Sequence, residues 1–440
     1  MMPGSLIRSL PAALARGLLL LFLSAPAFAD DVLDRAKRLI ESKEPLAALR
    51  LLQPLESERA GDPAFDYLLG VAALDSGDPQ AAVFALERVL AVQPTHGQAR
   101  AEIARAHYEL GESESAKREL ETVRASNVPP EVKASIDRML SAIERGPTRL
   151  NRHVEATFGF DSNVNSATGS SVLAVPGLGT VVLGRGQVRD GDTYLGLGAG
   201  LSVIHPIDPQ LALTAGLSAS NKMNGQATAF DTSSLDANAG LRLTRGKNVY
   251  SGSFVGQSFS VDNTRFRDSL GGVVQWQHNY SDTRQASLFA QYSDFEYPSQ
   301  RVRDAGRWIY GASYAQALGG DRNPVLFGSV YFGREEERAA GVPHLGHKPY
   351  GVRVGGQFEL MPDWVAFASA GWEQRRYGGN EPLFNIRRQD DQIDLRVGAN
   401  WRIAPQWLVT PQVTYTENRS NIELNRYTRT LASLTVRREF

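Results

Sequence analysis

Ile393-Asp394-Leu395-Arg396-Val397-Gly398-Ala399-Asn400-Trp401-Arg402-Ile403 is the stretch that decides how this chain folds. Every second residue is apolar, and the residues between are charged, amide or glycine. A period of two belongs to a strand, whose successive side chains point to opposite faces. The pattern describes a wall greasy on one side and wetted on the other. It recurs upstream: Tyr350, Val352, Val354, Gly356, Phe358 and Leu360 alternate with Gly351, Arg353, Gly355, Gln357 and Glu359. Leu211, Leu213, Ala215, Leu217 and Ala219 alternate with the small residues Ala212, Thr214, Gly216, Ser218 and Ser220 in the same way. A water-soluble sandwich shows such alternation too, but strand number and punctuation point to a transmembrane barrel. About fourteen segments fit after residue 150, roughly 20 residues each with a connection, of which about 10 cross a bilayer. An even number returns the C-terminus to the side where the first strand begins.

The connections alternate in length. His205-Pro206-Ile207-Asp208-Pro209, Arg245-Gly246-Lys247-Asn248, Ser281-Asp282-Thr283, Gly319-Gly320-Asp321-Arg322, Pro362-Asp363 and Pro405-Gln406 read as tight periplasmic turns. Longer stretches near 163–191, 222–230, 334–347 and 378–389 read as extracellular loops. Aromatic residues near strand ends (Tyr194, Trp276, Tyr280, Trp308, Tyr310, Trp364, Trp401, Trp407) suit interfacial girdles. The inward face carries Asp236, Arg242, Arg353, Glu359, Asp394, Arg396 and Arg402. These mixed charges describe either a hydrophilic wall for a passing polymer or a set that satisfies itself inside a plugged barrel.

Before residue 150 the period is helical, and a second period of 34 residues overlies it. Ala48, Ala82 and Ala116 are one repeat apart, as are Leu52, Leu86 and Leu120, and Leu55, Val89 and Val123. Leu69, Gly70 and Pro94 complete the best copy, and Gly77 and Gly111 mark turns between paired helices. A small residue where helices cross, with large apolar residues four and seven further on, buries one helix against the next. This spacing resembles the tetratricopeptide repeat. About three pairs make a short solenoid with a concave groove, either a spacer or a docking surface for a peptide.

The N-terminus carries Arg8 and Arg16, a short apolar run Gly17 to Leu23, and Ala27-Phe28-Ala29, the pattern of a cleaved secretory signal. The expected organisation is a signal peptide over 1–29, a periplasmic repeat domain over 30–146, a linker over 147–151 and a barrel over 152–440.

Composition narrows the chemistry. The chain has 440 residues and no cysteine, so it has no disulfide, thiol nucleophile or Cys-ligated metal. A net charge of −1 gives no whole-chain reason to expect nucleic acid. No phosphate-binding loop, zinc-helix motif or serine elbow appears, and seven scattered histidines, with only His344 and His347 close, read as loop residues rather than a metal pair. The expectation is a protein that is not an enzyme and needs no cofactor.

Three terminal motifs sharpen this. The first strand runs Phe158-Gly159-Phe160-Asp161-Ser162-Asn163-Val164-Asn165. The last hairpin runs Tyr415-Thr416-Glu417-Asn418-Arg419-Ser420-Asn421-Ile422. The chain ends Leu434-Thr435-Val436-Arg437-Arg438-Glu439-Phe440. Leu434, Val436 and Phe440 resemble the C-terminal signal read by the barrel-assembly machinery; Arg438 breaks the alternation. With the repeats and the strand number, the chain resembles the surface lipoprotein assembly modulator (Slam) family over nearly its whole mature length. The resemblance implies an outer-membrane translocon that helps surface lipoproteins, or related secreted haem- or iron-binding proteins, reach the cell surface. The repeats would dock client or periplasmic chaperone, and outer-membrane lipid would surround the barrel. Rival readings are a polysaccharide-export barrel, a diffusion porin and an adhesin.

In a closed barrel the first and last strands are neighbours, which puts Asp161, Ser162, Asn163 and Asn165, together with Glu417, Asn418, Ser420 and Asn421, near the closing seam. Asx and Ser side chains bond local backbone and are expected to leave strand edges unpaired there. This predicts a weak seam that opens sideways for a client; the plainer reading is a pair of ordinary loop-starting turns.

Overall fold

A computed structural model describes residues 31–126 and 129–440; the signal-peptide expectation lies outside the described residues. The chain divides into two compact units, up to Pro147 and from Thr148 onward.

The first unit is helical: α1 (Asp31–Glu41), α2 (Pro45–Leu52), α3 (Glu56–Arg59), α4 (Pro63–Asp75), α5 (Pro79–Val92), α6 (Gly97–Glu109), α7 (Ser113–Ala125) and α8 (Pro130–Arg145). Asp62 caps α4 by accepting from the amides of Ala64 and Phe65, and Asp78 caps α5 by accepting from Ala81. Gly77 and Gly111 take left-handed φ of 88° and 80° between paired helices, where a side chain would be strained. Ala48, Leu52, Leu69, Ala82, Leu86, Val89, Ala116, Leu120 and Val123 are all buried. Gly70 shows why the repeat wants a small residue: a Cβ there would lie 2.5 Å from Cγ of Leu86. Pro94 departs from the expectation of a core position. It is exposed in the turn between α5 and α6, and its carbonyl accepts from Arg100 at 2.9 Å. Asp66 is fully buried and anchors α4 to α5 through Arg88 at 2.7 Å, which also reaches Glu56 at 2.9 Å.

The second unit is a closed antiparallel barrel. Its strands are β1 (Arg149–Asp161), β4 (Asp192–Pro206), β5 (Leu211–Asn224), β6 (Thr232–Arg245), β7 (Asn248–Val261), β8 (Thr264–Ser281), β9 (Arg284–Glu296), β10 (Ala305–Ala317), β11 (Val325–Glu337), β12 (His347–Met361), β13 (Trp364–Glu381), β14 (Ile386–Ala404), β15 (Trp407–Ser420) and β16 (Tyr427–Glu439). These fourteen strands pair in sequence order, and β16 closes on β1. A small hairpin, β2 (Val172–Val175) and β3 (Gly179–Val182), stands apart in the first loop. No described helix is long and apolar enough to cross a membrane; in this fold strands do the crossing, because closure pairs every backbone group.

Because β1 starts at Arg149, three residues expected in the linker belong to the barrel. The rim at which β1 begins, here the near rim, carries turns at 207–210, 246–247, 282–283, 318–324, 362–363 and 405–406. The far rim is less loopy than the sequence suggests. The stretch read as a loop over 378–389 is a turn of four residues, 382–385, since β13 and β14 run on as long strands. The other two loops shrink to 225–231 and 338–346. At 262–263, Asp262 and Asn263 both take positive φ, 49° and 55°, the primed turn that matches strand twist. The asymmetry between rims therefore resides mainly in one segment, 162–191.

The outward face is apolar and exposed at Phe158, Leu217, Phe254, Leu270, Val330, Val354 and Val397, which suits lipid and would be untenable as a continuous surface in water. Trp364 stacks on Trp401 at 5.0 Å near one rim, and Tyr292, Trp308, Tyr310 and Phe332 form a row near the other. Arg438, the residue that interrupts the terminal alternation, lies on this face with its guanidinium over the rings of Trp407 and Phe440, 5.5 and 4.7 Å from their centroids. Leu434 and Val436 share its face, and the Phe440 amide donates to the carbonyl of Arg152 at 2.9 Å. Tyr194 is not a girdle residue. It points inward, over Gly159, with the Lys222 ammonium 4.6 Å from its ring.

Candidate functional site at the closing seam

Where β1 meets β16, the ladder runs from His153↔Glu439 to Asp161↔Leu431. Polar side chains cross it on the inner face at three levels. Near the lower end Arg437 donates to Glu155 at 2.7 Å. Midway the hydroxyls of Thr157 and Thr435 meet at 2.8 Å. At the far end Arg429 donates to both Asp161 oxygens, at 3.0 and 2.6 Å, and Lys222 from β5 reaches the same carboxylate at 2.5 Å. Asp161 is fully buried. Burial of a carboxylate is costly unless it is paired and hydrogen-bonded, and two cations plus the Asn163 amide supply that.

The inner face of β4 explains how these side chains lie flat. Gly196, Gly198 and Gly200 leave a groove into which Thr157, Glu155 and His153 lean; a Cβ on Gly200 would stand 2.3 Å from the His153 ring.

Beyond the ladder, side chains take over from backbone. The Ser162 amide donates to the Thr430 carbonyl at 3.0 Å, and the Ser162 hydroxyl accepts from the Thr430 amide at 2.8 Å. Asn163 is fully buried, and its amide donates to Thr428 at 3.0 Å and Ala167 at 2.9 Å. Asn165 donates to Val188 at 2.8 Å and so ties the loop's start to its return. The expectation of unpaired edges is thus reversed: the Asx and Ser groups extend the seam by mimicking backbone partners.

The second motif does not reach β1. Asn418 is buried and donates to Asn425 at 2.7 Å within its own hairpin. The Ser420 hydroxyl accepts from the Ile422 amide at 3.2 Å. Asn421 exchanges hydrogen bonds of 2.8 Å with Gln389 and Arg387 of β14. Glu417 faces outward and pairs with Arg419 at 2.7 Å. β16 separates these residues from β1, so the two motifs flank one strand rather than facing each other.

The sequence reading missed the hairpin β2–β3. Leu173 and Val175 bury one of its faces against Phe384, in the β13–β14 turn, and Ile422, in the β15–β16 turn, with Val181 and Leu183 packed alongside. The chain therefore leaves β1, is laid past the seam onto the turns beyond it, and returns to β4. Two valine-rich runs around Pro176-Gly177-Leu178-Gly179 were the available signal, with Gly177 and Gly179 at φ of 79° and 77°.

The inner-wall charges sort by height. Toward the far rim they are paired: Arg307 with Glu335 at 2.5 Å, Arg375 with Glu373 at 2.7 Å, Arg388 with Asp390 at 2.6 Å. Asp394 accepts from Thr416 at 2.6 Å and Asp236 from Gln257 at 2.7 Å. Arg242, Arg353, Arg396 and Glu359 are exposed to the interior, and Arg402 bonds the Pro405 carbonyl at the near rim. The exposed wall is thus richer in arginine than in acid.

Fold and seam define a class: a fourteen-stranded outer-membrane barrel behind a helical-repeat domain. A family profile described as surface lipoprotein assembly modifier matches residues 151–440, and a tetratricopeptide-repeat profile matches 73–138. The chain belongs to the surface lipoprotein assembly modifier family, and its role lies in surface lipoprotein assembly in the outer membrane. No curated protein matches its sequence. Among solved structures it is similar to OmpT, an outer membrane protein of Vibrio cholerae (8% identity, 67% of this chain and 97% of that one, TM-score 0.41). It is also similar to an anion-selective porin from Comamonas acidovorans (11% identity, 67% and 99%, TM-score 0.37). Over a shorter part of the chain it is similar to the Yersinia enterocolitica type III secretion translocator chaperone SycD (19% identity, 27% of this chain and 87% of that one, TM-score 0.25).

Proposed function

We propose that this protein is a translocon for client proteins bound for the cell surface: surface lipoproteins, or related secreted haem- and iron-binding proteins. Its near rim and repeat domain face the periplasm, where the repeats receive client or chaperone, and its far rim faces the exterior. The barrel-assembly machinery inserts it through the terminal strand. The role is non-enzymatic: the seam opens, by parting β1 from β16, to release a client sideways. The observation that carries this reading is the first loop, which reaches across the seam and is held on the far side by an apolar contact of four side chains rather than by a ladder. Opening therefore parts this contact together with the β1–β16 ladder and the polar side chains that cross it.

The test is surface display. The chain has no cysteine, so Thr157→Cys with Thr435→Cys places a lone disulfide across the seam. Co-expressed with a candidate client surface lipoprotein, the oxidised variant is expected to leave the client inside, and reductant to restore its access to external protease. Full display with the seam locked would overturn sideways release; no display even by the wild-type chain would overturn the translocon reading.

A second reading has one observation in its favour. Arg242, Arg353 and Arg396 on the open inner wall suit an anionic polymer such as an acidic polysaccharide. Export of polymer with no effect on any client would establish it.

A further inference from the structure

Arg334, Lys348 and Arg376 stand side by side on the outward face of β11, β12 and β13. Lys348 and Arg376 are direct cross-strand partners, and the pairing of Glu335 with His347 sets Arg334 beside Lys348. All three are exposed. Like charges directly opposite one another weaken a strand pair. Arg334 has Glu336 at 2.6 Å. Arg376 donates only to the neutral amide of Gln374, at 2.8 Å, with its guanidinium 5.8 Å from the Tyr350 ring. Among the described residues no carboxylate forms an ion pair with Lys348 or Arg376, so the row holds excess positive charge.

Its height on the barrel says what compensates it. One step toward the membrane, Phe332 pairs with Tyr350, and Tyr350 meets Trp372 edge-on at 5.4 Å. The same belt continues through Tyr310, the cross-strand partner of Phe332. Cations immediately above an aromatic belt sit at the level of lipid headgroups. Arginine offers a fork of donors and lysine a compact charge, a pair of geometries suited to phosphate oxygens.

We infer that Arg334, Lys348 and Arg376 bind the phosphate of a phosphorylated outer-leaflet glycolipid, whose acyl chains lie on Phe332, Tyr350 and Trp372. The choice of leaflet rests on the orientation proposed above; the site itself does not. A bound phosphate screens the Lys348–Arg376 repulsion, so the lipid stabilises the side of the barrel opposite β4–β7 while the client pathway at the seam stays free.

The full chain in detergent micelles is titrated with bisphosphorylated lipid A, dephosphorylated lipid A, phosphatidylglycerol and inorganic phosphate, with bound lipid read by native mass spectrometry. Bisphosphorylated lipid A is expected to bind tightest, and Lys348→Ala with Arg376→Ala to weaken it by about tenfold or more. Equal binding by variant and wild type overturns the site. Competition by inorganic phosphate at similar concentration makes it a free-anion site, and tighter binding of phosphatidylglycerol overturns the outer-leaflet choice. Lys348→Glu supplies Arg376 with an acid in place of the lipid. It is expected to lose lipid A binding yet resist unfolding better than wild type in lipid-free micelles. Lower stability there would overturn the account of the repulsion. None of these readouts uses client export, so failure of the translocon reading and failure of this site are distinguishable.

Discussion

Asp161 on the first barrel strand and Arg429 on the last meet at 2.6 Å across the line where the barrel closes, with Lys222 completing the carboxylate from the other side. Removing one member of a buried pair leaves an uncompensated charge and costs about 3–5 kcal/mol. Arg429→Ala leaves Lys222 in place and should lie at the low end of that range; Asp161→Asn, which strands two cations, should lie higher. Urea unfolding of the refolded barrel, followed by loss of its compact gel mobility, reads this directly. Arg419→Ala serves as control: its pair with Glu417 is solvent-facing and should change stability little. Equal effects at the two sites would remove the seam's special status.

The loop hairpin gives a second outcome. Leu173 and Ile422 are almost wholly buried against each other's neighbours at the far rim. Leu173→Asp places an unpaired charge in that contact and should detach the hairpin without touching a barrel ladder. External protease is then expected to cut within 171–183 on intact cells, where the wild-type chain resists. Barrel stability in urea should change little. Resistance of the variant to protease would mean that the hydrogen bonds of Asn163 and Asn165 alone hold the loop.

In the helical unit, Gly70→Ala adds a carbon 2.5 Å from Leu86 Cγ. Overpacking of this kind typically costs about 1–3 kcal/mol. The gain in helix propensity, about 1 kcal/mol, offsets part of it. The melting temperature of the helical signal should fall, and the double variant with Leu86→Ala should recover some of the loss by making room. A rise in melting temperature for Gly70→Ala alone would show that Leu86 has another rotamer to take.

What the sequence made legible was periodicity. The period of two in residues such as Ile393 to Ile403, and the repeat of Ala48, Ala82 and Ala116, led to a barrel of about fourteen strands behind tetratricopeptide-like helices. That is the fold found. Local hydrogen-bond logic was less transferable. Ser162 and Asn163 were read through their own backbone, whereas their partners, Thr430 and Thr428, lie more than two hundred residues away. Loop length failed at 378–389 because Gly378, Gly379, Asn380 and Arg388 look like loop residues, whereas β13 and β14 carry them to a four-residue turn, with Arg388 paired to Asp390 on the inner wall. The hairpin β2–β3 had a local signal in its valine-rich runs and glycine turn, but the contact that Leu173 and Val175 make with Phe384 and Ile422, in two other loops, has none. Arg438 looked like a flaw in the terminal strand because alternation alone does not register the rings of Trp407 and Phe440 flanking it.

The repeat domain should also respond to pH through Glu102. Burial on α6 pushes its carboxyl above the ordinary glutamate range; Arg105, at 3.2 Å, pulls it back, and Asp75 and Glu109 push it further up. Glu109 is raised too, again chiefly by burial. A carboxyl whose folded pKa exceeds its unfolded one binds more protons in the folded state between the two values. Stability contributed by these groups is therefore present at the acid end of that window and lost as pH rises through the folded pKa. Above it the full cost of burying the charge applies. Glu102→Gln keeps the shape and removes the charge, while Asp75 remains on Arg105 at 2.6 Å. The variant should melt higher than wild type at neutral pH, match it near the unfolded pKa of about 4.3, and show a flatter slope between. A variant that melts lower at neutral pH would mean that the Arg105 contact outweighs desolvation, and the sign of the pH slope would then reverse.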